Sequence, residues 1–175
     1  YSAGMRIESL SIVPMLAMGN AMSTFTAQNM GAGKIDRVKE GYRMCYVIVL
    51  TAGAVLCVMY QLAGGAFVSL FLDSGSSEAY SVGLSYVKFL SFFYSFIGLK
   101  ASTDGLLRGA GDVTAFTVAN LVNLAIRVSV TNLFAPIYGI QVAWMAVPLG
   151  WAANYVISFG WYLTGKWKKV RVIKK

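Results

Sequence analysis

The sequence predicts an all-α integral membrane protein of five transmembrane helices, and three observations carry that prediction. Hydrophobic residues make up 57% of the 175 and charged residues only 13%, with a mean hydropathy of +0.62. A soluble domain has about 25% charged residues. Five apolar runs follow one another along the chain, each long enough to cross the roughly 30 Å hydrocarbon core of a bilayer. The basic residues alternate between the connections: the loop at residues 34–43, the turn at Arg108 and the tail hold eleven of the fifteen Lys and Arg, while the turns at 73–81 and 135–141 hold none. That bias places the C-terminus in the cytoplasm and Tyr1 outside. The net charge of +8 therefore reads as topology and not as a nucleic-acid surface.

The first span covers residues 3–30. Arg6 and Glu8 near its start put that end at an interface or against a protein interior, and Pro14 can bend it. Asn20, Thr24 and Gln28 recur at i, i+4, i+8 and share a polar face; Met15, Met18 and Met22 form a second stripe that reads as core packing. The stretch TFTAQNMGAGKIDRVKEGYR follows. Gly31 and Gly33 suit a helix end that needs positive φ, and Lys34, Arg37, Lys39 and Arg43 put four cations within ten residues, against Asp36 and Glu40. A soluble helix–turn–helix would explain this stretch, but not the apolar runs on both sides.

The second span covers 43–72, with Gly53, Gly64 and Gly65 as small packing residues. Cys45 and Cys57 lie within it, about 18 Å apart on one helix and out of disulfide reach. The third span, 82–107, is aromatic at its start, with Lys88 able to snorkel to the interface. It ends in LLRGAGD, a second glycine turn carrying Arg108, Gly109, Gly111 and Asp112. The fourth span covers 113–135 and the fifth 142–164, the latter bearing Trp144, Trp151 and Trp161. A basic cytoplasmic tail, 166–175, adds six cations and no acid.

Lys100, Asp104 and Arg127 sit too deep for an interface. A charge at a helix centre costs about 2.5–3.5 kcal/mol, so each needs a partner or a watery cavity. Lys100, Asp104 and Arg108 stand at i, i+4, i+8, so Asp104 can pair in either direction on one face. Asn120, Asn123 and Arg127 form a comparable face on the fourth span, with Arg127 roughly 22 Å above Asp112. These side chains are either structural pairs or members of a substrate or cation pathway; for Arg127 and Arg6 a structural or gating role is the expectation. GAGK lacks the full phosphate-loop pattern and no strand precedes it, so it is not expected to hold phosphate. With no histidine, no metal-ligand cluster and no nucleophile elbow, neither an enzyme nor a metal site is expected.

Three turn motifs carry a family resemblance. TFTAQNMGAGKIDRVKEG resembles the "vgQN.GAgk..R" signature of the multidrug and toxic compound extrusion (MATE) transporters. LLRGAGD is similar to the "lrGaGd" that follows their tenth helix, and YGIQVAWMAVPLGW to the start of their last helix. The resemblance implies helices eight to twelve of a twelve-helix protein, most of one of two six-helix lobes that form a V-shaped cleft of alternating access. It implies export of small organic, often cationic, compounds driven by Na⁺ or H⁺, with no other cofactor. The implied partners are the lipid bilayer and the N-terminal lobe of the same polypeptide, in the cell membrane. Absence of that lobe, the seventh helix and a starting Met makes a C-terminal fragment the expectation. An acidic residue important for coupling in some members falls near Ile97 here, so that role is not carried over to Asp104. A lipid-linked-precursor flippase of the same superfamily, and a non-transporting membrane module or truncated remnant, are the alternatives.

Overall fold

In a computed structural model the chain is all-α, with helices joined by short turns and no strand, among its described residues, 2–71, 77–139 and 141–169. Residues 73–76 of the acidic turn, Ile140 before the last span, and tail positions 170–175 lie outside them. The helices are α1 (Ser2–Gly31), α2 (Ile35–Ser69), α3 (Ser77–Ser91), α4 (Tyr94–Gly109), α5 (Val113–Tyr138) and α6 (Gln141–Leu163), followed by one 3₁₀ turn, Lys166–Lys169. α1 runs continuously through Pro14, and α2 begins in the basic stretch and carries on into the apolar run.

Among the described residues, four helices are each long and apolar enough to span a bilayer. α3 and α4 meet at 52° and, taken together as one bent pair, are long and apolar enough to make a fifth. The sequence reads this stretch as one unbroken run, since SFFYSF contains neither Gly nor Pro. The reason for the break comes from another helix. Gln61 on α2 donates its amide to the Lys88 carbonyl (3.0 Å) and to Ser91 Oγ (3.0 Å), and Ser91 Oγ donates to the same carbonyl at 2.7 Å. Inside a membrane a broken ladder survives only where such groups take up the freed carbonyls.

α4 is the centre of the bundle. Every residue from Ala101 to Leu107 is buried, and α1, α2 and α6 pack around it, while α5 lies mainly on α6. Small residues allow the approach. A Cβ on Gly19 of α1 would stand 2.6 Å from the Ala101 carbonyl oxygen; one on Gly105 would collide with Gly19 O, and one on Gly109 with Ser23 O. Such backbone contact brings membrane helices together where no hydrophobic driving force exists between them. The outer surfaces carry Val47, Val55, Leu62, Leu121 and Leu124 exposed, as suits a lipid-facing wall.

Both cysteines are free; Cys45 Sγ lies 3.1 Å from Ser102 Oγ across the α2–α4 contact.

Candidate functional site

The two glycine turns have the same backbone. At the end of α1, Gly33 (φ 70°) takes the left-handed position; Lys34 N–H donates to Asn29 O (2.8 Å) and Gly33 N–H to Met30 O (3.0 Å). At the end of α4, Gly111 (φ 83°) does the same, with Asp112 N–H on Leu107 O (2.9 Å) and Gly111 N–H on Arg108 O (3.1 Å). Both pairs are the six-to-one and five-to-two bonds that close a helix on a glycine.

The first glycines of the two turns differ. Gly31 has no positive φ and nothing within 4 Å of a Cβ built on it, which corrects the expectation that it serves the turn's backbone. Gly109, in the equivalent place, is required by its contact with Ser23. Arg37 is exposed. Asp112 caps α5 by accepting from Ala115 N–H (3.3 Å) and receives the Trp161 indole N–H of α6 at 2.7 Å. Trp167 in the 3₁₀ turn is wholly buried, stacked on Tyr162 at 5.6 Å, with its indole donating to Tyr162 O.

Deeper in the bundle, Asp104 pairs in one direction only. Lys100 Nζ lies 2.9 Å from Asp104 Oδ2 and donates also to Asn120 Oδ1 at 3.2 Å. Ser158 Oγ on α6 donates to Asp104 Oδ1 at 2.6 Å, and Asn120 is anchored by donating to Phe116 O. The carboxylate, 4% exposed, thus draws on α4, α5 and α6 together. Full pairing of this kind is what a buried ion pair needs to offset its desolvation.

Arg108 is not part of that group, against the expectation of an aspartate flanked by two cations. Its guanidinium turns to α1, donating to Asn20 Oδ1 (2.7 Å) and Ser23 Oγ (3.3 Å), and lies over the Phe116 ring at 5.7 Å. Between these two groups a cavity of about 180 Å³ opens among α1, α4 and α5, lined in its polar part by Asn20, Lys100, Asp104, Arg108 and Asn120.

The remaining polar positions lie elsewhere. Thr24 is exposed and its hydroxyl returns to Asn20 O; Gln28 is exposed on the same face. Asn123 is buried where α5 meets α6, and a Cβ on Gly150 would stand 2.5 Å from its Oδ1 and 2.9 Å from Arg127 Cγ. Asn123 and Arg127 therefore pack on α6 and do not line the cavity.

The sequence reading missed Ser158, Ser23 and a hydroxyl cluster in which Tyr42 and Tyr46 lie 2.7 and 3.0 Å from Thr103 Oγ1. The spacing of Asn154 and Ser158 at i, i+4 on the last span was the signal for the first of these.

With this arrangement described, its likeness to known proteins decides the family. The MatE family model matches residues 1–147. The chain belongs to the MatE family. The probable multidrug resistance protein YpnP of Bacillus subtilis (strain 168) is 28% identical over 173 residues, covering 98% of this chain and 38% of that protein. The probable multidrug resistance protein NorM of Thermotoga maritima is 21% identical over 184 residues, 100% of this chain and 38% of that one. The chain thus spans under two fifths of the length of these curated relatives.

A solved inward-facing structure of a multidrug resistance MATE family transporter of the MOP superfamily superposes with a TM-score of 0.79 at 19% identity, covering 91% of this chain and 36% of that one. That likeness shows the fold. The family read from the three turns is borne out, as is the all-helical membrane architecture.

Proposed function

We propose that this MatE-family chain is the C-terminal, five-span part of a cation-coupled exporter of small organic, often cationic, compounds. It works by alternating access together with an N-terminal lobe of the same polypeptide, in the cell membrane and with its C-terminus cytoplasmic. The coupling ion is Na⁺ or H⁺, and no nucleic acid is involved. The observation that carries the reading is the polar cavity between α1, α4 and α5, with an ion pair buried at its wall inside an otherwise apolar bundle. A membrane module with a purely mechanical role has no need of such a space, and intramembrane ionisable groups mark pathways by default. The names of the curated relatives support multidrug transport.

The test uses the full polypeptide that carries this segment, in proteoliposomes loaded with a fluorescent organic cation. Movement driven by an imposed Na⁺ or H⁺ gradient is expected. A protein that binds no organic cation and moves none under either gradient would establish the non-transporting reading instead.

A further inference from the structure

A second buried polar group stands apart from the cavity, at the opposite end of α1. Glu8 is half-buried in the first turns of that helix and accepts a hydrogen bond from the Tyr86 hydroxyl of α3. Tyr86 itself is buried, with its ring edge-on to Trp144 of α6 at 5.3 Å. One turn along α1, Ser11 Oγ donates its single proton to Ile7 O (2.8 Å), so the Tyr60 hydroxyl of α2 must donate to Ser11.

The charged groups around Glu8 are few. Arg127 of α5 acts on it from across the bundle, and Arg6, two residues earlier, is exposed. No described Lys or Arg comes within 4.0 Å of the carboxylate. A membrane carboxylate held by one hydroxyl, without a direct ion pair, is a functional candidate.

We propose that Glu8 is a proton-binding site, with the Tyr86 hydroxyl of α3 holding its carboxylate form. The step is balanced: one proton from water on one side of the membrane converts carboxylate to carboxylic acid, and the same proton leaves to the other side. In the ionised state all that Glu8 needs is donors, which Tyr86 supplies. Once protonated, the group is neutral and no longer carries the cost of a buried charge that lacks an ion pair. A bound Na⁺ fits less well, because among the described residues only the Tyr86 oxygen lies within hydrogen-bond distance of the carboxylate, fewer oxygens than a cation shell needs.

This inference rests on the transport reading above and assigns its coupling group. The experiment compares the parent full polypeptide with Glu8→Gln and Glu8→Asp in proteoliposomes, using tetraphenylphosphonium as probe. Two modes are measured: accumulation driven by a pH gradient, and exchange driven by the probe's own concentration difference. Glu8→Gln is expected to keep the exchange and to lose pH-driven accumulation down to the level of liposomes without protein, with Glu8→Asp recovering part of it. Unchanged pH-driven accumulation in Glu8→Gln overturns the assignment alone. If a Na⁺ gradient and not a pH gradient drives the parent, and Glu8→Gln abolishes it, the site binds Na⁺ and the proton assignment is overturned. A parent that accumulates nothing under either gradient overturns the transport reading and this inference with it. Where Glu8→Gln does not fold, Tyr86→Phe carries the test: its accumulation is expected to shift its pH midpoint, and an unmoved midpoint overturns the proposal.

Discussion

Replacing the four turn glycines by valine, one at a time, separates two reasons for glycine that the sequence makes look alike. Gly33 and Gly111 sit at φ 70° and 83°, where a Cβ meets the following carbonyl; the left-handed conformation costs an L-residue about 1–2 kcal/mol. Gly109 is helical, and its cost is steric. The new Cβ would overlap Ser23 O, and forcing α1 and α4 apart is an overpacking change of about 1–3 kcal/mol. Gly31 has neither problem, so Gly31→Val is expected to lie within about 0.5 kcal/mol of the parent, as for an ordinary surface change. The assay is thermal unfolding of the detergent-purified full polypeptide, with yield recorded beside it. Gly33→Val, Gly109→Val and Gly111→Val should all melt below the parent, and Gly31→Val with it. A Gly31→Val protein that melts as low as Gly33→Val would refute the reasoning, since residue 31 would then need a backbone that the turn geometry does not ask of it.

The Asp104 group gives a second prediction. Asp104→Asn weakens the hold on Lys100 and is expected to cut folded yield, near the lower end of the about 3–5 kcal/mol seen when a buried pair is broken; Lys100→Met with Asp104→Leu should recover it. Normal yield with transport lost in Asp104→Asn, unrescued by the double change, would make the carboxylate a working group of the pathway instead. Gln61→Leu removes the amide that serves the bend; Ser91 Oγ still donates to the Lys88 carbonyl, so the expected loss is that of a hydrogen bond, about 0.5–1.5 kcal/mol, whereas unchanged melting would show that the bend needs no outside donor. Single cysteines at Ser2 and Ser76, in a background without Cys45 and Cys57, are expected to react with an impermeant maleimide in intact cells. Reaction only after permeabilisation would invert the orientation.

The spans were legible because lipid imposes a length and an apolar composition that no local detail obscures. What escaped the sequence depends on contacts between helices. Nothing in SFFYSF announces a bend, because the donor that stabilises it, Gln61, lies on another helix. The i, i+4, i+8 spacing put Lys100, Asp104 and Arg108 on one face correctly, yet Arg108 is drawn off by Asn20 and Ser23, and Ser158 takes the place beside Asp104. Asn120 was legible as a polar group at depth, and it joins the pair; Asn123, three residues on, turns to α6 instead. Glu8 could be seen at the start of a span, but the tyrosine that holds it, Tyr86, comes from α3.

The seam between α1 and α4 limits what compensating substitutions can do. In a core of interlocking side chains, an oversized residue can be accommodated by trimming its neighbour, and cores repacked in this way keep their fold. At Gly19, Gly105 and Gly109 the neighbour is a carbonyl oxygen of the main chain. No substitution removes that atom. A genetic screen for second-site suppressors of Gly105→Ala would therefore find none at the contact itself, and any it recovered would have to move a whole helix.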